Sequence, residues 1–337
     1  MADPVPSLPV KALVCPELGG EEVLRVEEWP SPQCGPNEVR IGVRAASVNF
    51  PDTLVIRGQY QYRYDPPFVP GHECAGTLLE VGADVDGFAV GDRVLAMTGV
   101  GAFASEVIAR PARHDQLFRI PDAMGYDEAA AFDLTYGTAI LGFRRGRLEA
   151  GESVLVLGAA GGTGSAAIQV AKAMGAYVVG AAGGAEKLRI AEECGADAAV
   201  DYREPGLSER VKELTGGRGV DVVFDPVGGR DFREYLRCLA WNGRYLVVGF
   251  AGGEIPSVGL NLVLLKSISL IGVAYGASAR LDPESVARDF EQLFRWYDDG
   301  LLKPFIGHHF PLEQGADALR VVSGRGALGK VVIDVDA

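Results

Sequence analysis

Apolar positions over the first 120 or so residues fall in short runs, several alternating with polar positions, and proline or glycine punctuates nearly every junction. The runs "VLRVEEWP", "EVRIGVRAASV", "ECAGTLLEVG", "DRVLAMTG" and "ASEVIARP" have the length and composition of strands. They predict a mostly antiparallel, barrel-like β domain with little helix. From about Glu152 the period changes, and continuously apolar runs alternate with helical patterns. "SVLVLGA" precedes "GSAAIQVAKAMG", "YVVGAA" precedes "AEKLRIAEECG", "AAVDY" precedes "LSERVKELTG", and "VDVVFDPV" precedes "DFREYLRCLAWNG"; "RYLVVGF" and "SISLIGV" follow. Strands this apolar are buried on both faces of a parallel sheet, and about six in this rhythm predict a doubly wound α/β fold. After Ala277 come a helix "PESVARDFEQLFRWYDDG", a strand-like "FIGHHFP", a helix "LEQGADALRVVSG" and a strand "KVVIDV". This tail is too short to stand alone. Residues 1–132 and 274–337 are therefore expected to form the β domain, and 133–273 the parallel-sheet domain.

Composition narrows the class. A chain of 337 residues exceeds one core, and hydrophobic residues at 48% can fill two. The 45 glycines follow no collagen-like period and suggest many tight turns. A net charge of -13 opposes binding to nucleic acid or to anionic lipid. No apolar run reaches the length of a membrane span, and "MADPVPSLPV" lacks the basic character of a targeting segment. Five scattered cysteines without a Cys-x-x-Cys pair read as reduced thiols, so a cytoplasmic protein is expected.

The first candidate chemistry lies in "VLVLGAAGGTGSAAIQVAK". Gly158, Gly161 and Gly164 fall between a predicted strand and a predicted helix, where small residues admit a pyrophosphate to the free N–H groups of the helix start. Gly162 and Thr163 complete that turn. Enzymes specific for the unphosphorylated dinucleotide usually carry an acid at the end of the next strand. Here that place reads Ala182, Gly183, Gly184, and Lys187 follows. A cation without an opposing carboxylate argues for NADPH, although a solvated helix lysine paired with Glu186 or Glu192 would look the same.

The turn "PGHECAG", Pro70 to Gly76, places His72 beside Glu73 between glycines and raises the question of zinc. Taken with "AASVNFPDTLVIRGQY", "PFVPGHECAGTLLEVGADVDGFAVGDRV", "LTYGTA", the glycine run, "EKLRIAEECGADAAVDY" and "GKVVI", it makes the chain resemble the medium-chain dehydrogenase/reductase superfamily. Within it the likeness is to the zinc-free quinone oxidoreductases of the zeta-crystallin type. The resemblance implies a GroES-like β domain joined to a Rossmann domain. In zinc-dependent relatives this histidine ligates the metal with two cysteines; the corresponding places here are Asn49 and about Ala131, and "MTGVGAFASEV" lacks the cysteines of a structural zinc lobe. A catalytic zinc site generally needs three protein ligands. No metal is expected, and His72 and Glu73 are read as making internal hydrogen bonds.

Without a Lewis acid, the chemistry left is hydride transfer to acceptors already electron-poor, such as quinones or α,β-unsaturated carbonyls. The resemblance places Asn49 and Tyr60 beside the acceptor, as an amide donor and a protonated phenol. Asp52 reads as a turn acceptor, and Leu54 stands where the family often has a second tyrosine. On the cofactor side the resemblance implies Thr135 near the nicotinamide and Lys187 and Tyr202 at the 2′-phosphate. It also implies Gly249 and Phe250 near the ribose, Tyr275 at the carboxamide and Arg325 as a further phosphate contact. For Tyr275 and Arg325 a half-buried strand aromatic and an exposed loop charge explain the residues equally well.

The leading reading is an NADPH:quinone reductase acting on a small molecule. An ene-reductase acting on enones or enoyl thioesters is the neighbouring one; the basic cluster "FRRGR", Phe143 to Arg147, is the one cluster that could serve a coenzyme A phosphate, although it reads better as a solvated helix end. A non-catalytic NADPH-binding protein, crystallin-like or RNA-binding, and a zinc alcohol dehydrogenase are the alternatives from other classes. The strand "SISLIGVAYGA" is expected at a sheet edge that needs cover, and the resemblance, whose members pair it across a two-fold axis, implies a homodimer.

Overall fold

The structure, a computed structural model, describes residues 8–111 and 115–335. The stretch 1–7, read above as lacking targeting character, lies outside the described residues. The chain divides into two compact units, one built from the residues up to Asp133 with those from Ile306 onward, the other from Leu134–Phe305. No described helix is long and apolar enough to cross a membrane.

The first unit is mostly β. Strands β1 (Val10–Val14) and β2 (Arg25–Trp29) form an antiparallel pair. A seven-stranded sheet contains β3 (Val39–Val48), β4 (Glu73–Val81), β5 (Arg93–Met97), β6 (Glu106–Ala109) and β7 (Gln116–Arg119). Two strands from the far end of the chain, numbered after those of the second unit as β14 (Ile306–Pro311) and β15 (Lys330–Asp334), complete it. All its pairings are antiparallel except β14 with β15. Along β3, Val39, Ile41 and Val43 alternate into the core with exposed or half-buried neighbours, the period of a sheet with one face wet. Helix is sparse, as the pattern predicted: α1 (Phe50–Val55), α2 (Tyr126–Ala130) and, last in the chain, α11 (Gly315–Ser323).

In the second unit, α3 (Asp133–Arg145) leads into a six-stranded parallel sheet. Its strands are β8 (Ser153–Leu157), β9 (Tyr177–Ala182), β10 (Ala198–Asp201), β11 (Val220–Asp225), β12 (Leu239–Val247) and β13 (Ser269–Gly272). Between them run α4 (Gly162–Ala173), α5 (Ala185–Glu193), α6 (Leu207–Leu214), α7 (Phe232–Cys238) and α8 (Leu260–Lys266). The spatial order β10-β9-β8-β11-β12-β13 is the doubly wound order, with its reversal between β8 and β11. Ligands bind such sheets at that reversal, beyond the carboxyl ends of the strands.

Three local readings change. "DFREYLRCLAWNG" is not one helix: α7 stops at Cys238 and β12 starts at Leu239, with Asn242 taking a left-handed turn at φ 64°. The strand carrying "SISLIGVAYGA" ends at Gly272, and Tyr275 opens α9 (Tyr275–Leu281). The segment 274–305, expected with the β domain, belongs to the second unit. Its helix α10 (Pro283–Asp298) buries Val286, Phe290 and Leu293, and Asp289 takes the Arg144 guanidinium of α3 at 3.0 Å. Beyond that helix, Lys303 is tied by its N–H and its carbonyl to the Gln169 amide of α4, at 2.6 and 2.8 Å.

Candidate functional site

The strand register of the first unit assembles a buried polar cluster. Ser47 on β3 stands opposite Glu73 on β4 and opposite Val332 on β15. Glu73, 1% exposed, accepts through Oε1 from Ser47 Oγ at 2.5 Å, Asn49 Nδ2 at 2.9 Å and Lys330 Nζ at 2.9 Å. Lys330 Nζ also reaches Asn49 Oδ1 at 2.7 Å. The Asn49 amide is thus held at both ends, and its nitrogen lies 3.3 Å from the Ser47 carbonyl as well. Both polar atoms of the Asn49 amide therefore have buried protein partners, which link Asn49 to Glu73 and to Lys330.

A second pair adjoins it. Asn49 precedes α1, and the Asp52 side chain caps that helix by accepting the Asn49 N–H at Oδ2, 2.7 Å. Its other oxygen, Oδ1, lies 2.5 Å from His72 Nδ1. Because the carboxylate is an acceptor at both oxygens, His72 Nδ1 donates. The turn holding His72 depends on Gly71, at φ 103°, where a Cβ would lie 2.8 Å from the Phe103 backbone nitrogen. The Tyr60 ring meets the imidazole edge-on, with centroids 5.6 Å apart. Asn49, Asp52, Tyr60, His72, Glu73 and Lys330 therefore form one continuous constellation. Sequence reasoning missed Lys330, whose partners lie far away in the chain, and gave Asp52 only half of its work.

In the second unit the glycine run forms the turn between β8 and α4. Gly158 leaves β8 at φ 62°, and a Cβ on Gly164 would fall 2.1 Å from the Gly158 carbonyl oxygen, so helix and turn touch through backbone alone. Gly161 caps α4 without a side-chain hydrogen bond, and a Cβ there would meet only the Gly158 oxygen, at 3.4 Å. Gly162 and Thr163 open α4, where the first N–H groups of a helix have no partner within the helix. Across the reversal point, Asp225 ends β11 buried, accepting the N–H groups of Val227 and Gly228 at 2.7 and 2.8 Å and the Tyr245 hydroxyl at 2.5 Å. Burial raises its pKa above the ordinary carboxylate value. It fixes the 226–229 turn against Gly249 and Phe250: Gly249 N–H reaches the Asp225 carbonyl at 3.3 Å, and a Cβ on Gly228 would lie 2.9 Å from the Phe250 ring.

The end of β9 corrects the cofactor argument. Ala182, Gly183 and Gly184 carry no acid, yet the register sets Asp201 of β10 opposite Ala182. That carboxylate is spent. It accepts the Gly184 N–H at 2.9 Å and grips Arg203 through Nε and Nη2, at 3.0 and 2.6 Å. The Arg203 guanidinium, chiefly, holds the Asp201 carboxyl well below the usual range. Arg203 lies over the two glycines, where a Cβ on Gly184 would be 2.9 Å from Nη2, and the Tyr202 hydroxyl would be 3.2 Å from one on Gly183. Sequence reasoning missed this cation, which turns the acid into its anchor. Lys187 is half-buried in the first turn of α5.

Thr135 is buried on α3. Tyr275 is buried as well, and its ring occupies the volume a Cβ on Gly137 would need, with Cζ at 2.3 Å; this packing explains the glycine of "LTYGTA". Arg325 lies in the first unit, on an exposed turn after α11 at φ 59°, apart in the chain from the other nucleotide candidates.

Residues 35–122 match the alcohol dehydrogenase GroES-like domain, and residues 162–297 match the zinc-binding dehydrogenases. Quinone oxidoreductase-like protein 2 of Rattus norvegicus is 41% identical over 329 residues, 96% of this chain and 92% of that protein. The quinone oxidoreductase of Homo sapiens is 32% identical over 323 residues, 94% of this chain and 95% of that protein. The crystal structure of Escherichia coli quinone oxidoreductase complexed with NADPH aligns with a TM-score of 0.87 at 29% identity, covering 98% of this chain and 100% of that one.

The chain belongs to the zinc-free quinone oxidoreductases of the medium-chain dehydrogenase/reductase superfamily. Like them it is an oxidoreductase with a nicotinamide dinucleotide site, built on a GroES-like and a Rossmann domain. The donor set does not fit the zinc of the wider superfamily. Glu73 is neutralised by Lys330, His72 gives Nδ1 to Asp52, and the remaining places hold Asn49 and Ala131. Among the described residues, no group of three or more His, Cys, Asp or Glu could hold a metal ion.

Proposed function

We propose that this quinone oxidoreductase family member is an NADPH-dependent, zinc-independent reductase that transfers hydride to quinones or other activated carbonyl acceptors. One observation carries the reading: the groups that would hold a Lewis acid are consumed in internal pairs, so the acceptor must be electron-poor on its own account. When bound, NADPH supplies the hydride. Gly158, Gly161, Gly162, Thr163 and Gly164 take its diphosphate; Gly183, Lys187, Tyr202 and Arg203 surround the 2′-phosphate. Thr135, Gly249, Phe250 and Tyr275 serve the nicotinamide half, and Tyr60 lines the acceptor's place. Arg144, one of the three arginines of "FRRGR", is held by Asp289 and Ser285. Five free cysteines, four of them buried, suit the reducing cytoplasm.

The test is NADPH oxidation, followed at the nicotinamide absorbance, with one-ring and polycyclic quinones and a series of enones, each with and without a strong chelator. Turnover of quinones that ignores the chelator is expected. Activity abolished by chelation would overturn the zinc-free reading, and NADPH binding without any turnover would make the protein a non-catalytic binder.

The homodimer rests on an uncovered edge. Strand β13 ends the parallel sheet with its outer side unpaired, and the neighbouring α8 has no buried residue; Leu260, Leu264 and Leu265 are each more than 70% exposed. An open edge flanked by exposed leucines calls for cover, and a second copy offers the same strand across a two-fold axis. Replacing Leu264 and Leu265 by glutamate is expected to shift the sedimenting species from dimer to the 35.7 kDa monomer. A wild-type protein that already sediments as a monomer would refute the pairing.

A further inference from the structure

Reducing a quinone to a hydroquinone takes a hydride and a proton, and the acceptor, once it has the hydride, is an anion that needs the proton. Asn49 Nδ2 faces Glu73 and the Ser47 carbonyl, and the buried Lys330 donates to Glu73 and Asn49. His72 is placed differently. Its Nδ1 is fixed on Asp52, which is fully buried and itself fixed by the Asn49 N–H. No protein group among the described residues takes Nε2, and the side chain keeps 11% of its surface exposed beside the Tyr60 ring. The charged or titratable groups around it are Asp52 at Nδ1 and Tyr60 at the ring edge, while Glu73, next in the chain, turns to Lys330. An imidazole held at one nitrogen by a buried carboxylate, with the other nitrogen open, is the arrangement that lets a histidine deliver a proton in a fixed direction.

We propose that His72 is the proton donor to the reduced acceptor and Asp52 its positioning residue. In the step, the Nε2–H bond of the imidazolium breaks and an O–H bond forms on the hydroquinone anion. The ring is left neutral, with Nδ1–H still on Asp52, and recovers its proton from water. The histidine that zinc-dependent relatives use as a ligand thus serves a metal-free site as an acid. The inference rests on the reading of Tyr60 as lining the acceptor's place.

The test compares wild type with His72→Gln on two quinones. One is a tetrahalogenated benzoquinone, whose hydroquinone anion is a weak base and leaves without help. The other is a methylated benzoquinone, whose anion is a stronger base. The kcat of the variant is expected to fall about 100-fold on the methylated quinone and only a few-fold on the halogenated one, the scale of a lost general acid. NADPH affinity, read by fluorescence titration, should not change. A fold or packing role for His72 would lower both rates alike, and equal losses, or no loss, overturn the proposal while leaving the quinone reductase standing. If the wild type reduces neither quinone, the functional reading fails with it. Independently of turnover, the proton spectrum of the wild type should show a far-downfield Nδ1–H resonance that vanishes in His72→Gln and shifts in Asp52→Asn. Its absence from the wild type would remove the dyad on which the proposal stands.

Discussion

Arg203→Ala is expected to lower kcat/KM for NADPH about 10- to 100-fold and to raise that for NADH, inverting the preference between the two cofactors. Two effects act in the same direction. The variant loses the cation that lies over Gly183 and Gly184, and it releases Asp201, whose carboxylate is now occupied by Arg203 and by the Gly184 N–H. A freed acid opposite Ala182 would repel a 2′-phosphate and accept from the two ribose hydroxyls of NADH. Arg203→Lys should recover only part of the loss, because one ammonium cannot reproduce the fork that grips Asp201 through Nε and Nη2. Parallel kcat/KM measurements with both cofactors decide it. An unchanged ratio in Arg203→Ala would mean that Lys187 and Tyr202 alone set the preference.

Lys330→Met should be the most destabilising single change in the first unit. Lys330 and Glu73 expose 5% and 1% of their side chains, and removing the ammonium takes the lysine cation away from a buried carboxylate that also accepts from the neutral donors of Ser47 and Asn49. Breaking such a pair from one side costs about 3–5 kcal/mol, which lowers the melting temperature by about 10 °C. Adding Glu73→Gln removes the orphaned charge and should restore at least half of the loss. A double-variant cycle read by thermal and urea unfolding checks both statements, and a double variant as unstable as Lys330→Met alone would assign the loss to packing around the lysine stem.

What could be read from the sequence, and what could not, divides by distance along the chain. The glycine run was legible because strand, turn and helix follow one another there, and the chemistry needs small residues at local spacing. The parallel sheet was legible from its apolar runs, and the spent zinc site from the missing thiolates. Asp201 and Arg203 were not, because their nearness to Ala182 is fixed by the pairing of β10 with β9, and register is not written in either strand alone. Lys330 and Asn49 are 281 positions apart and meet only because β15 lies against β3. The partners of Asn49 were not legible for a different reason: an amide can face inward or outward, and only its neighbours decide which. Segment 274–305 went to the wrong domain because an amphipathic helix shows that it is half-buried and not against what.

The order of the strands also bears on how the protein comes into being. The second unit is one uninterrupted stretch, Leu134–Phe305, and has all its strands once that stretch has left the ribosome. The first unit cannot close its seven-stranded sheet then, because β15, which sits between β14 and β3, follows the second unit in the chain. Until Lys330 emerges, Glu73 and Asn49 must wait without their cation, and the edge of β3 stays open through the synthesis of the whole nucleotide-binding half. A nascent chain therefore carries the whole parallel-sheet unit before β3 can receive the strand that brings Lys330 to Glu73.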